Sequence, residues 1–230
     1  MSSSELSPLW LSLEVALLAT LIATPFAVAL GYGLARHRLP LPSLIGAFLF
    51  LPVVLPPVIT GLLLLRVVGR ASPLGGVLAG MGVPLSFSKG GAVLAALVVG
   101  FPFFVMMTRA AFASVDPRLE EVSLSLGVSR GQTFLRVTLP LALPGIVGGA
   151  VLAFARALGE FGATVVLAGN LEGQTRTLSL AVYTLLDAPR GESTIWPLVL
   201  ASVLCSLVSL VLYEGLMRLG QRRMELHEPR

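Results

Sequence analysis

Charge is scarce in this chain. Only 12% of its 230 residues are Asp, Glu, Lys or Arg, about half of what a soluble domain carries. Apolar residues make up 55%, and the mean hydropathy is +0.90. That composition describes an integral membrane protein before any one segment is considered. Lysine occurs once, at Lys89, followed by Gly90. A P-loop needs Gly-x-x-x-x-Gly-Lys-Ser/Thr, with the lysine reaching the phosphates, so the chain holds no ATPase site of that kind. The one cysteine, Cys205, excludes an intrachain disulfide and a cysteine metal cluster. Lying in an apolar run, it reads as a small buried hydrophobe. The two histidines, His37 and His227, fall in a loop and in the tail. No intramembrane Ser–His dyad or His-rich metal site can be built from them, so no catalytic or metal-binding residues are assigned.

Five apolar runs are long enough to span a bilayer, which takes about 20 residues of helix. They cover residues 11–35, 41–65, 90–108, 141–167 and 194–213. No positively charged region precedes the first run and no small-residue cleavage site is evident, so it reads as a span and not as a signal peptide. Residues 71–88 carry no charge but contain several glycines and the prolines Pro73 and Pro84. They read as a folded loop, with at most one short interfacial helix. Residues 177–186 are too few to cross, and read as a re-entrant or surface helix. After Tyr213 only a short basic tail remains. The expected fold is all-α: a single polytopic helix bundle over residues 1–230 with about five transmembrane helices.

Basic residues set the orientation. With the N-terminus outside, the inner segments hold Arg36, Arg38, Arg109, Arg118, Arg130, Arg136, Arg218, Arg222, Arg223 and Arg230, ten in all. The outer segments hold five: Arg66, Arg70, Lys89, Arg176 and Arg190. The positive-inside rule therefore places the N-terminus outside and the C-terminus in the cytoplasm. The net charge of +4 is explained by this topology and calls for no nucleic-acid partner.

The longest polar segment, residues 116–140, lies between two apolar runs on the cytoplasmic side. Asp116 and Pro117 form a helix start, because a side-chain oxygen can cap the free N–H groups and proline lacks one to leave unpaired. Glu120 and Glu121 follow in the first turn, where the helix dipole favours anions. Gly127 is a stop, since it tolerates a left-handed backbone. Ser129 with Gln132 signals a second start, and Pro140 and Pro144 limit how far that helix runs. Such a helix-turn-helix could be a plain connector. Its pattern, however, is Glu121-Val122-Ser123, three residues, Gly127, nine residues, then Val137-Thr138-Leu139-Pro140. This resembles the EAA loop of ABC importer permeases, Glu-Ala-Ala, three residues, Gly, nine residues, Ile-x-Leu-Pro. Glu121, Gly127, Leu139 and Pro140 match; Val122, Ser123 and Val137 depart conservatively.

Three features lie within the spans. Gly145, Gly149, Ala153 and Ala157 repeat every four residues, which favours close packing against a neighbouring helix or a second copy. Pro52, Pro56, Pro57 and Gly61 interrupt the second span. Carbonyls freed there must face protein or a water-filled cavity, so Pro56, Pro57 and Thr60 line a pathway or simply sit in a bent helix. Arg156 and Glu160, four residues apart at membrane depth, are costly there and face the bundle interior. They either neutralise each other as an i, i+4 pair or set the electrostatics of an anion path.

The segment from Phe154 to Thr164, with Gly-Glu-Phe-Gly-Ala at 159–163, looks like the molybdate importer permeases. So do Gly169-Asn170, Gly173-Gln174-Thr175-Arg176-Thr177-Leu178, Ala181-Val182-Tyr183-Thr184 and Gly191-Glu192-Ser193. The likeness covers essentially the whole chain. Its core is shared with sulfate and tungstate relatives; the continuation to Thr184 favours molybdate. This resemblance implies a type I ABC importer permease in the cell (inner) membrane, working as two copies. It implies cytoplasmic P-loop ATPase subunits, which hold the ATP-Mg, and an extracytoplasmic molybdate-binding protein. It further implies that Glu120, Glu121, Val122, Ser123, Gly127, Leu139 and Pro140 couple the chain to the ATPase, with no cofactor in the chain itself. An ion-coupled secondary transporter is the competing class, but it normally shows internal repeats and several membrane carboxylates. Five spans do not halve, and Glu160 is the sole deep carboxylate. A membrane hydrolase lacks catalytic residues at that depth.

Overall fold

Each long apolar run forms a helix. The computed structural model describes residues 3–186 and 191–225, with side chains for 7–186 and 195–218. Arg190, His227 and Arg230 lie outside the described residues, as do the side chains of Glu192, Ser193, Arg222 and Arg223. The first run is helix α1, Ser3–Ala35. Hydroxyls on apolar helices need an acceptor, and here they bond back one turn. Thr20 donates to Ala16 O and Thr24 to Thr20 O, each at 2.8 Å.

The second run differs from the single span expected over 41–65. It is two helices, α2 (Pro42–Val54) and α3 (Pro57–Val68), bent by 112° at the break. The tandem prolines are the cause. A proline pushes the residue before it out of the helical region, and both Leu55 (φ −70°, ψ 143°) and Pro56 (φ −53°, ψ 132°) are extended. Helix α4, Pro73–Gly80, is the short helix of the uncharged loop, started by Ser72, whose hydroxyl accepts from Gly75 N–H. Helix α5 is Lys89–Ala113, capped by Ser88.

Two short helices follow, α6 (Pro117–Ser125) and α7 (Arg130–Thr133), then a π-helical turn (Phe134–Thr138) and α8 (Leu139–Leu158). The fourth span therefore departs from the expected 141–167 at both ends. It belongs to a continuous helical run, Arg130–Leu158, and it stops at Leu158. Residues 162–167 form a separate helix, α9 (Gly162–Leu167). The expected stop at Pro140 does not occur. In an α-helix its ring would clash with the carbonyl four residues back. The wider π turn just before it, with Leu139 N–H donating to Phe134 O, relieves that conflict. The chain ends with α10 (Leu178–Leu186) and α11 (Gly191–Glu225). At nine residues α10 cannot cross, as expected.

Helix directions fix the number of crossings. Glu14 near the start of α1 pairs with Lys89 at the start of α5, and Gly31 near the end of α1 packs on Thr108 near the end of α5. The two helices run parallel, so the chain between them must return across the membrane. The bent pair α2–α3 makes that crossing. Helix α8 runs antiparallel to α5, since Gly145 meets Ala111, Gly149 meets Met107 and Ala153 meets Gly100. With α11 returning along α8, there are five crossings among the described residues. Helices α1, α5 and α8 form the centre. Helix α2 buries none of its side chains, and α11 leaves Leu200, Leu204, Leu207 and Val211 exposed, as lipid-facing or partner-facing helices do.

The period-four row of small residues seats α8 on α5 of the same chain. A Cβ on Gly145 would lie 2.6 Å from Ala111 Cβ, and one on Gly149 2.8 Å from Met107 Cβ. Of the two partners the pattern allowed, the row meets its own neighbour. Gly149→Leu should therefore overpack this seam and destabilise the protein by roughly 1–3 kcal/mol. Gly46→Ala, at a position with nothing within 4 Å, should have little effect. Thermal unfolding in detergent distinguishes the two.

Candidate functional site

The polar loop is built as its punctuation dictates. Asp116 Oδ1 accepts from Arg118 N–H at 2.9 Å, and Pro117 opens α6. The helix closes with Val128 N–H on Ser123 O and Gly127 N–H on Leu124 O. That closure needs a left-handed residue, and Gly127 supplies it at φ +80°. Ser129 Oγ accepts from Gln132 N–H at 3.4 Å to start α7. The hydroxyls of Ser123 and Thr133, 2.9 Å apart and buried, join the two helices.

The loop has two faces. Glu121, Val122, Leu126 and Gly127 are exposed, with Leu126 at 78% the most open apolar side chain of the loop. Glu120 and Ser123, which the resemblance also implied as ATPase-coupling residues, turn inward instead and are bonded within the chain. Glu120 Oε1 accepts from Arg36 Nε at 3.0 Å, Arg36 Nη2 at 2.8 Å and Thr138 Oγ1 at 3.0 Å. Arg36 Nη2 also donates to Val115 O at 3.0 Å. Leu139 is half-buried and Pro140 exposed. Sequence reasoning gave Arg36 no part in the loop. It was visible only as one basic residue at the end of a span, 84 positions from its partner.

The second cluster lies where two broken spans meet. Glu160 sits in the gap between α8 and α9, with its side chain 3% exposed. Its Oε1 accepts from Ala163 N–H at 2.9 Å, capping α9, and its Oε2 lies 2.9 Å from Arg156 Nη1. Arg156 and Glu160 are thus paired as their spacing suggested, but across the end of α8, not along a continuous helix. A third of the Arg156 side chain, 32%, stays exposed. The glycines on either side let backbones touch. A Cβ on Gly162 would lie 2.7 Å from Pro57 Cβ, and one on Gly61 2.8 Å from Ala163 Cα. The Gly-Glu-Phe-Gly-Ala segment therefore clasps the Pro56–Pro57 corner. Thr60, one turn along α3, is buried, and its hydroxyl has no partner among the described residues.

The continuation of this motif shapes the loop end opposite the α6–α7 loop. Asn170 Nδ2 donates to Thr184 Oγ1 at 2.8 Å, and Arg176 Nε donates to Asn170 Oδ1 at 3.0 Å. No cluster of metal-ligating side chains occurs among the described residues.

Removing Arg156 alone would leave the buried Glu160 carboxylate without its cation. Arg156→Met should destabilise the protein by about 3–5 kcal/mol, the range for breaking one half of a buried pair. The double variant Arg156→Met/Glu160→Gln should recover part of that loss, because no buried charge is left unpaired. Thermal unfolding of the three proteins in detergent reads the difference directly.

Comparison with known proteins fits this architecture. Residues 23–226 match the family model described as the binding-protein-dependent transport system inner membrane component. The molybdenum transport system permease protein ModB of Escherichia coli (strain K12) is 43% identical over 224 residues, covering 97% of this chain and 98% of that one. Its counterpart in Haemophilus influenzae is 41% identical over 221 residues, covering 96% of both. Among solved structures, the MetNI methionine ABC transporter in inward-facing conformations superposes with a TM-score of 0.71 at 17% identity, over 96% of this chain and 99% of that chain. That likeness shows the shared type I importer permease fold. Five membrane crossings, a loop with the EAA spacing and similarity along nearly its whole length identify this chain as a member of the binding-protein-dependent transport system inner membrane component family, a multi-pass permease of an ABC importer.

Proposed function

We propose that this chain forms the translocation path of an ATP-driven molybdate importer. The observation that carries this reading is the α6–α7 loop. It presents Glu121, Val122 and Leu126 outward, and it runs without a break into α8 through the π turn. A partner that moves this loop moves a transmembrane helix with it. The near full-length similarity to molybdenum permeases supports the choice of anion.

The chain has no P-loop of its own, so the motor is a separate pair of ATPase subunits, each holding ATP-Mg. Two copies of the chain enclose the path. The loop end carries Arg36, Arg38, Arg109, Arg118, Arg130 and Arg136, and this excess of arginine supports a cytoplasmic loop with the N-terminus outside. An extracytoplasmic binding protein delivers the anion to the opposite end. ATP binding draws the ATPases together. The docked α6–α7 loops follow and tilt the spans, and the path opens outward; hydrolysis resets it. Pro56 and Pro57, both exposed, line the path at the broken span, whereas Thr60 is buried one turn along α3. Arg156, partly exposed beside them, lends positive potential to a passing oxyanion.

The test is uptake of labelled molybdate by proteoliposomes containing the permease with its ATPase and binding protein. Glu121→Lys should reduce uptake to background by placing a like or unmatched charge in the docking face. Gly127→Pro should do the same, because proline cannot adopt a positive φ. Both proteins should still insert in the membrane. Full binding-protein-stimulated ATPase activity in both variants would refute this role for the loop.

A further inference from the structure

The resemblance implied a coupling role for both Glu120 and Glu121, but only Glu121 is on the exposed face of the loop. Glu120 turns away from the docking face and gathers three donors on one oxygen, two from Arg36 and one from Thr138. The same guanidinium reaches Val115 O in the turn that closes α5. One arginine at the end of α1 thus ties together α1, the end of α5, the first turn of α6 and the π turn. The Arg36 and Glu120 side chains are only 11% and 13% exposed. Charge-assisted hydrogen bonds shielded to that degree hold geometry far better than surface pairs do.

From these contacts we infer that the Arg36–Glu120 pair is a second transmission link, through which the loop moves α1 as well as α8. The inference rests on the transport reading above and deepens it. The π turn joins the loop to α8 covalently, whereas α1 is joined to it by this pair. Helix α1 packs along α5 over its length. At its far end Ser12 Oγ accepts from Leu178 N–H at 2.7 Å, and Glu14 pairs with Lys89. A displacement entering at Arg36 therefore reaches the opposite face of the bundle through a packed helix. If only α8 followed the loop, α8 would shear against α1 and α5. The pair makes the three move together. Docking and transmission are then separate duties of adjacent residues, Glu121 facing the ATPase and Glu120 facing α1.

The experiment compares molybdate taken up per ATP hydrolysed in proteoliposomes of the complete transporter. Arg36→Gln and Glu120→Gln should assemble with the ATPase and hydrolyse ATP, while the uptake-to-hydrolysis ratio falls by about tenfold, the scale of one lost charged hydrogen bond. Arg36→Lys, which keeps the charge, should recover part of the ratio. A wild-type ratio in both Gln variants overturns the link. So does loss of ATPase co-purification, which would make the pair a docking element, and so does failure of both Gln variants to insert, which would make it a folding element. An Arg36→Lys ratio no better than that of Arg36→Gln overturns its electrostatic basis. Wild-type protein without ATP-dependent uptake refutes the transport reading itself, and the link with it.

Discussion

In hydrocarbon, a backbone N–H or C=O without a partner costs several kcal/mol, so a transmembrane helix can break only where protein covers the break. This chain breaks two spans, one at Leu55–Pro56 and one between Leu158 and Gly162, and it places the breaks against each other. Gly61 and Gly162 allow the contact. Glu160 supplies the acceptor that α9 lacks at its start, and Arg156 neutralises the carboxylate that does so. The Gly-Glu-Phe-Gly-Ala segment is therefore first a structural clasp. The clasp holds irregular backbone and a partly exposed guanidinium together within the bundle.

The remaining architecture distributes stiffness. At the α5–α8 seam the glycines and alanines of α8 bring its backbone close against Ala111, Met107 and Phe104 of α5. The α2 and α11 helices, by contrast, bury little of themselves within the chain. The centre is thus closely packed and the margins are under-packed. The loop extends that rigidity beyond the membrane. Its π turn keeps hydrogen bonding continuous across Pro140, where a plain α-helix would have been interrupted.

The helix starts and the stop of the polar loop were legible because the residues that make them act locally. Asp116, Pro117, Gly127 and Ser129 act within one turn of themselves, so their capping roles could be read from spacing alone. The fourth span's end was not legible. Residues 141–167 are apolar apart from Arg156, Glu160 and Thr164, and hydropathy does not register a three-residue gap between helices. The sharpness of the second span's bend was also hidden. Prolines announce a break, but the angle depends on what the two halves pack against.

The residue order by itself determined that this chain is a membrane bundle, where its apolar runs lie, and that one polar loop has the EAA spacing. Those properties come from composition and from interactions within a few residues. Only the tertiary structure decided which of two adjacent glutamates faces outward, that Arg36 secures the inner one, that the small-residue row meets α5, and that the broken spans clasp each other. Each of these depends on pairs far apart along the chain, whose geometry exists only once five crossings have packed.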